Sequence, residues 1–130
     1  MTAHKVGSIL RRDAPTLTPL TPIRTAVSVL VEAQADGAAV LGEGGDLQGI
    51  LTQKDCFRPA LHAAYYQKWT GVVGHQMTRD VVTVDIHDEV IEAADMFLNH
   101  PHRLFPVMDG PRVAGLLYRL DVLALLARLG

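Results

Sequence analysis

The sequence predicts an α+β fold: two βαββα repeats packed about a pseudo-twofold axis. Three observations predict it. The chain repeats itself at an offset of 67 residues, and each copy carries one amphipathic helix at the same place. Each helix is followed by two short apolar segments joined by a Gly-containing turn.

The repeat is visible in the opening residues. Val6-Gly7-Ser8-Ile9-Leu10-Arg11-Arg12-Asp13 reads against Val73-Gly74-His75-Gln76-Met77-Thr78-Arg79-Asp80. At this offset Val6, Gly7, Arg12, Asp13, Thr16 and Ala26 meet identical residues. Chance on average composition gives about one or two such matches in that window. Each copy then begins with a short lead-in strand, 16–17 in the first and 81–84 in the second.

The helix of each copy follows. Ile23, Ala26, Val27, Leu30 and Val31 align with Val90, Ala93, Ala94, Phe97 and Leu98, and both sets fall at i, i+3, i+4, i+7, i+8. That spacing marks one face of a helix. Thr21 before Pro22 is the expected N-cap and N1 proline of the first; Asp88 before Glu89 starts the second. The offset then drops to 66, as if one residue were lost in the turn after the helix: Gly44, Gly49, Leu51 and Asp55 meet Gly110, Gly115, Leu117 and Asp121. The apolar segments 38–41 and 47–51 flank Gly42-Glu43-Gly44-Gly45-Asp46, while 104–108 and 113–117 flank Asp109-Gly110-Pro111. Both read as β-hairpins. Closing helices are expected over 53–66, kinked at Pro59, and over 120–129. With 65–71 as connector, the repeats are 1–66 and 67–130. Halves of this size bury too little surface alone, so they are expected to pack on each other through their sheets.

Composition supports a packed molecule and removes several classes of function. Of 130 residues, 48% are apolar and 20% charged, which suits a globular chain. Aromatics are only 5%, so the core must rest on Val, Leu, Ile and Ala. A formal charge of −2 lacks the basic excess of sequence-independent nucleic-acid binders. The apolar runs are too short to span a bilayer, and the start, Met1-Thr2-Ala3-His4-Lys5, lacks the apolar stretch of a signal peptide. The single Cys56 cannot form an intramolecular disulfide, which suits a reducing cytoplasm.

The hairpins run into Gly49-Ile50-Leu51-Thr52-Gln53-Lys54-Asp55 and Gly115-Leu116-Leu117-Tyr118-Arg119-Leu120-Asp121. The form G-h-h-T-x-x-D, closing a hairpin and opening a helix, resembles the signature of CBS domains. His102-Arg103-Leu104-Phe105-Pro106-Val107-Met108-Asp109 resembles a strand of the same family, a basic residue followed by Pro-Val-hydrophobic-Asp. The likeness covers nearly the whole chain as a tandem pair, a Bateman module. It implies a non-catalytic regulatory module that binds an adenosine derivative in clefts between the two repeats. AMP, ADP or ATP is favoured over S-adenosylmethionine by the phosphate-directed residues. It further implies a homodimer formed through the helices and, since two repeats use up the chain, a free-standing module acting on a regulated protein in trans.

Thr52 and Asp55 support two readings. Their spacing fits a capping box, with Asp55 at N3 reaching back to a backbone N–H. A helix N-terminus also suits a phosphate, a carboxylate can accept from vicinal ribose hydroxyls, and Lys54 adds a charge on the same turn. The resemblance implies that Asp55 holds the ribose and that Thr52 lies near the phosphate. His102 and Arg103 are either two solvated loop residues or, by the family's cross-over logic, phosphate contacts. The expected main cleft therefore takes Ile50, Thr52, Lys54 and Asp55 with Thr83, Val84, His102, Arg103 and Leu104. A weaker second cleft takes Thr16, Leu17, Gly37 and Ala38 with Tyr118, Arg119 and Asp121. In that cleft a bulky Tyr118 replaces Thr, and Asp36-Gly37 stands for His102-Arg103, so the two clefts are expected to be unequal.

No catalytic constellation stands out, and no complete metal-ligand set is visible among the six histidines. Cys56 reads as small buried filler. Tyr65, Tyr66 and Trp69 read as packing for the join between halves, or as a dimer contact. The second reading of the whole chain is an interaction or oligomerisation module with vestigial clefts.

Overall fold

The computed structural model describes residues 4–130; Met1-Thr2-Ala3, read above for an apolar leader, lies outside them. Two three-stranded sheets carry the fold. The first combines β1 (Thr16–Leu17), β2 (Gly37–Leu41) and β3 (Leu47–Thr52), with helices α1 (Ile23–Ala33) and α2 (Gln53–Tyr66). After the short helix α3 (Val73–Gln76), the second combines β4 (Val84–Asp85), β5 (Leu104–Asp109) and β6 (Arg112–Tyr118), with α4 (Val90–Asn99) and α5 (Arg119–Leu129). In each sheet the lead-in strand runs parallel to the middle strand, and the hairpin is antiparallel. The expected βαββα order is present twice.

The paired registers correct the repeat alignment. Gly37 pairs with Thr52 and Leu104 with Tyr118, and both ladders slip at the same bulge, after Val40 and after Val107. The offset therefore stays at 67 through the middle strand and falls to 66 only in the hairpin turn, not in the turn after the helix. Asp36 is thus the counterpart of Arg103, and Gly37 of Leu104.

The second lead-in strand is Val84–Asp85, where 81–84 was expected. The counterpart of the Thr16–Ala39 pair would be Thr83 with Pro106, and proline offers no N–H to a ladder.

Helix starts also differ from expectation. Pro22, not Thr21, occupies the N-cap of α1, and the Thr21 hydroxyl instead accepts from the backbone N of Thr18 at 3.1 Å. Glu89, not Asp88, caps α4, while Asp88 Oδ2 accepts from Asp85 N at 2.9 Å. Along both first helices the i+8 residue leaves the core: Val31 is 69% exposed and Leu98 84%. At about 100° per residue that position lies some 80° from the start of the stripe, beyond its buried width.

The chain divides into two compact units: 14–81, and the residues up to Asp13 together with Val82–Gly130. The segment ahead of each lead-in strand, 6–13 in the first repeat and 73–80 in the second (the exchanged lead-in), thus belongs to the unit built by the other repeat. Val6 N donates to Asp88 O and Gly7 N to Ile86 O; 67 residues on, Val73 N donates to Thr21 O and Gly74 N to Pro19 O. Arg11 bridges Leu116, and Thr78 bridges Ile50. The glycines of the signatures follow from this. A Cβ on Gly115 would lie 2.3 Å from Arg11 O, and one on Gly49 2.6 Å from Thr78 O.

Each unit has its own core. Leu17, Ile23, Leu30, Val40, Leu51 and Cys56 anchor one, with Trp69 packed against it. Val6, Val84, Phe97, Phe105, Leu117 and Val122 anchor the other. Tyr65 and Tyr66 depart from the expected join packing: both are exposed at the end of α2 and touch edge to face, 4.8 Å apart.

Candidate functional site

The turn from β3 into α2 is built by local chemistry. Thr52 is the N-cap of α2 in extended backbone, and its Oγ1 accepts from Asp55 N at 3.4 Å. Asp55 Oδ2 accepts from Thr52 N at 2.9 Å. The capping box read from the spacing is therefore present, and it uses one of the two Asp55 oxygens. Asp55 is half-buried, whereas Lys54 beside it is exposed. Gln53 ties the turn to the segment that leads into β2: its backbone N donates to Asp36 O and its side chain to Ala35 O, both at 3.0 Å. Ile50 is buried and bridges Thr78. The result is a rigid helix N-terminus carrying a fixed carboxylate and a solvated ammonium.

Behind this turn, Cys56 sits in the core. Desolvation first, and the nearby Asp55 charge second, push its thiol up to about 11.

The corresponding turn from β6 into α5 is built differently. Tyr118 is the N-cap and its side chain makes no cap. Arg11, brought in by the bridge to Leu116, fills the place. Its Nε donates to Asp121 Oδ2 at 2.8 Å, and a terminal nitrogen donates to Asp121 Oδ1 at 3.0 Å. Its guanidinium carbon lies 4.1 Å from the centre of the Tyr118 ring. The pair is half-exposed, so ion pair and cation–π contact contribute about 0.5–1 kcal/mol each. The Asp121 hydrogen bond raises the Arg11 pKa further, against an opposing desolvation. Arg11 carried no role in the sequence reading. The only signal was its place opposite Thr78 in the repeat, a cation against a small hydroxyl.

Arg103 is exposed, and its carbonyl accepts from Arg119 N at 2.8 Å, so the His102-Arg103 loop is tied to the start of α5. His102 is not a solvated loop residue. Its ring stacks on Phe105 at 5.5 Å, lies edge-on to His100, and buries Nδ1 without a hydrogen-bond partner. Val84 and Leu104 are core residues of the second sheet, and Thr83 is half-buried ahead of it. Thr16 is exposed on β1, while Leu17, Gly37 and Ala38 are buried in the first sheet. Each expected cleft therefore draws residues from both compact units. Among the described residues no three His, Cys, Asp or Glu side chains gather as a metal site would need.

The CBS domain family matches residues 6–61 and 72–128, so the chain belongs to that family and carries two of its domains. Solved CBS pairs share the fold. The structure of CBSX2 in complex with AMP is 24% identical and has a TM-score of 0.83, with 97% of this chain and 98% of that chain covered. CBSX2 from Arabidopsis thaliana, described as a CBS-pair protein, is 25% identical over 98% of this chain and 97% of its own, with a TM-score of 0.84. The CBS domain pair of protein MJ0100, solved with 5-methylthioadenosine and S-adenosyl-L-methionine, is 24% identical over 99% of this chain and 100% of that one, with a TM-score of 0.84. No curated protein sequence matches the chain.

Proposed function

We propose that this CBS pair is a non-catalytic regulatory module that binds an adenine nucleotide of the AMP, ADP or ATP type at the Thr52–Asp55 turn and signals its occupancy to a partner protein. The observation that carries the reading is the capped N-terminus of α2. Asp55 is fixed by its own box with Oδ1 outside it, next to a helix dipole and the exposed Lys54. A ribose diol can donate to the carboxylate while a phosphate takes the backbone N–H groups and the ammonium. His102 and Arg103, with Thr83, are the proposed contribution of the second repeat. Related CBS pairs solved with AMP, and with 5-methylthioadenosine and S-adenosyl-L-methionine, support an adenosine-containing ligand.

Regulation requires that the ligand bind one arrangement of the module more tightly than another. A dimer through exposed helical residues such as Phe57 and Leu61, and a reducing compartment suited to the free Cys56, complete the reading. The alternative, an interaction module with vestigial sites, is favoured by one observation, the occupied state of Asp121.

Titration calorimetry with AMP tests the proposal on wild type and Asp55→Asn. The amide oxygen can keep the cap, so the variant folds and loses only the charged acceptor. Binding should weaken at least about tenfold. Unchanged binding would move the nucleotide elsewhere; no binding to wild type by AMP, ADP or ATP would favour the vestigial reading.

A further inference from the structure

We infer that Arg11 is a built-in occupant of the Asp121 half-site and that it sets the number of nucleotides the module takes. This rests on the adenine-nucleotide reading above and extends it from the first signature to the second. Both oxygens of Asp121 are engaged, Oδ2 by Arg11 Nε and Oδ1 by a terminal nitrogen. The same guanidinium covers one face of Tyr118. A ribose diol would have to donate to those two oxygens, so it competes with Arg11 directly. At the first signature the corresponding residue is Thr78, too short to reach across, and Asp55 there spends one oxygen on its own helix cap. One arginine, delivered by the exchanged lead-in segment, therefore separates two half-sites with the same signature.

The backbone makes Arg11 a dependable occupant. Its N donates to Leu116 O at 2.8 Å and its O accepts from Leu116 N at 3.0 Å, so the lead-in is clamped where the side chain starts. The side chain itself is half-exposed and can swing into solvent. The arrangement is a displaceable plug rather than a permanent closure. An ion pair with a cation–π contact of this exposure should weaken a competing ligand about tenfold.

The test uses the full chain, AMP and two readouts. By calorimetry wild type should take one AMP per chain. Arg11→Thr, which installs the residue found at position 78, should take a second, bound about tenfold more tightly than any second event in wild type. Adding Asp121→Asn should abolish that second event and leave the first. Arg11→Gln, which keeps most of the stem, serves as an independent variant and should behave like Arg11→Thr. One AMP in wild type and in both Arg11 variants overturns the plug and leaves the nucleotide reading standing. No AMP in any of them overturns the nucleotide reading, and the plug's role in stoichiometry with it. The second readout needs no ligand. The Arg11 Nε–Hε signal of the isotope-labelled protein should be shifted and slow to exchange with water, and both properties should vanish in Asp121→Asn. A signal identical in the two proteins overturns the inference whatever AMP does.

Discussion

At the scale of single residues, the same side chain can be both a structural cap and a ligand group, and geometry decides how much of it is spent. Asp55 gives one oxygen to Thr52 N, whereas Asp121 gives both to Arg11. Cys56 shows burial acting on a residue next to the site. Its folded pKa, about 11, lies above the ordinary thiol value of about 8.5, because the interior disfavours the thiolate. A raised pKa means that the folded state binds this proton more tightly than the unfolded chain does. The associated stability is therefore complete below about pH 8.5 and is lost as pH rises from there through about 11. Iodoacetamide at pH 7.5 should label native Cys56 far more slowly than the urea-unfolded chain. Cys56→Ala should flatten the decline in denaturation midpoint between about pH 8.5 and 11. Rapid native labelling would show that the thiol is not held in the core.

Secondary-structure elements explain the signature glycines. Gly49 and Gly115 lie where an exchanged lead-in crosses β3 or β6, and there is no room for a methyl group against the crossing carbonyl. Gly115→Ala would also press on Leu10 Cδ1, 2.5 Å away, and Gly49→Ala on Met77 Sδ, 3.0 Å away. Each should destabilise by about 1–3 kcal/mol in urea titrations, with Gly115→Ala the worse of the two. Gly44→Ala is the control. Its Cβ would meet only Asp46 Oδ1, at 3.8 Å, so the change should stay within about 0.5 kcal/mol. Equal effects at all three positions would mean that the close approach is not what requires glycine. The lost residue in the second hairpin turn is tolerated for a related reason. The turn lies beyond the bulge, so strand register on the site side is the same in both sheets.

For the whole molecule, the notable surface feature is the set of exposed apolar side chains on the closing helices. Phe57, Leu61, Tyr65 and Tyr66 on α2, and Leu120, Leu123 and Leu129 on α5, are all more than half exposed. A groove lined by Val27, Leu30, Val31, Cys56, Phe57 and Ala60 lies between α1 and α2. Surfaces of this kind are rare on monomers. The homodimer proposed above would cover them, and sedimentation at several concentrations tests it. Wild type should run as a dimer at micromolar concentration, and Phe57→Glu with Leu61→Glu should run as a folded monomer. A monomeric wild type would remove the dimer from the proposal. No helix among the described residues is long and apolar enough to cross a membrane.

The sequence by itself determined the two βαββα repeats, the hairpin turns and the caps at Thr52, because each is written in local spacing: helical period, Gly-containing turns, and a Thr and an Asp three residues apart. It also marked the two signature turns as different, through Tyr118 in the place of Thr52. Only the tertiary structure decided that each exchanged lead-in joins the unit built by the other repeat, that His102 packs on Phe105, and that Arg11 holds Asp121. Arg11 and Asp121 are 110 residues apart, and no local pattern records such a pair. Their meeting depends on which strand the lead-in bridges, and that is settled by backbone hydrogen bonds and close packing against Gly115, which form only when the chain has folded.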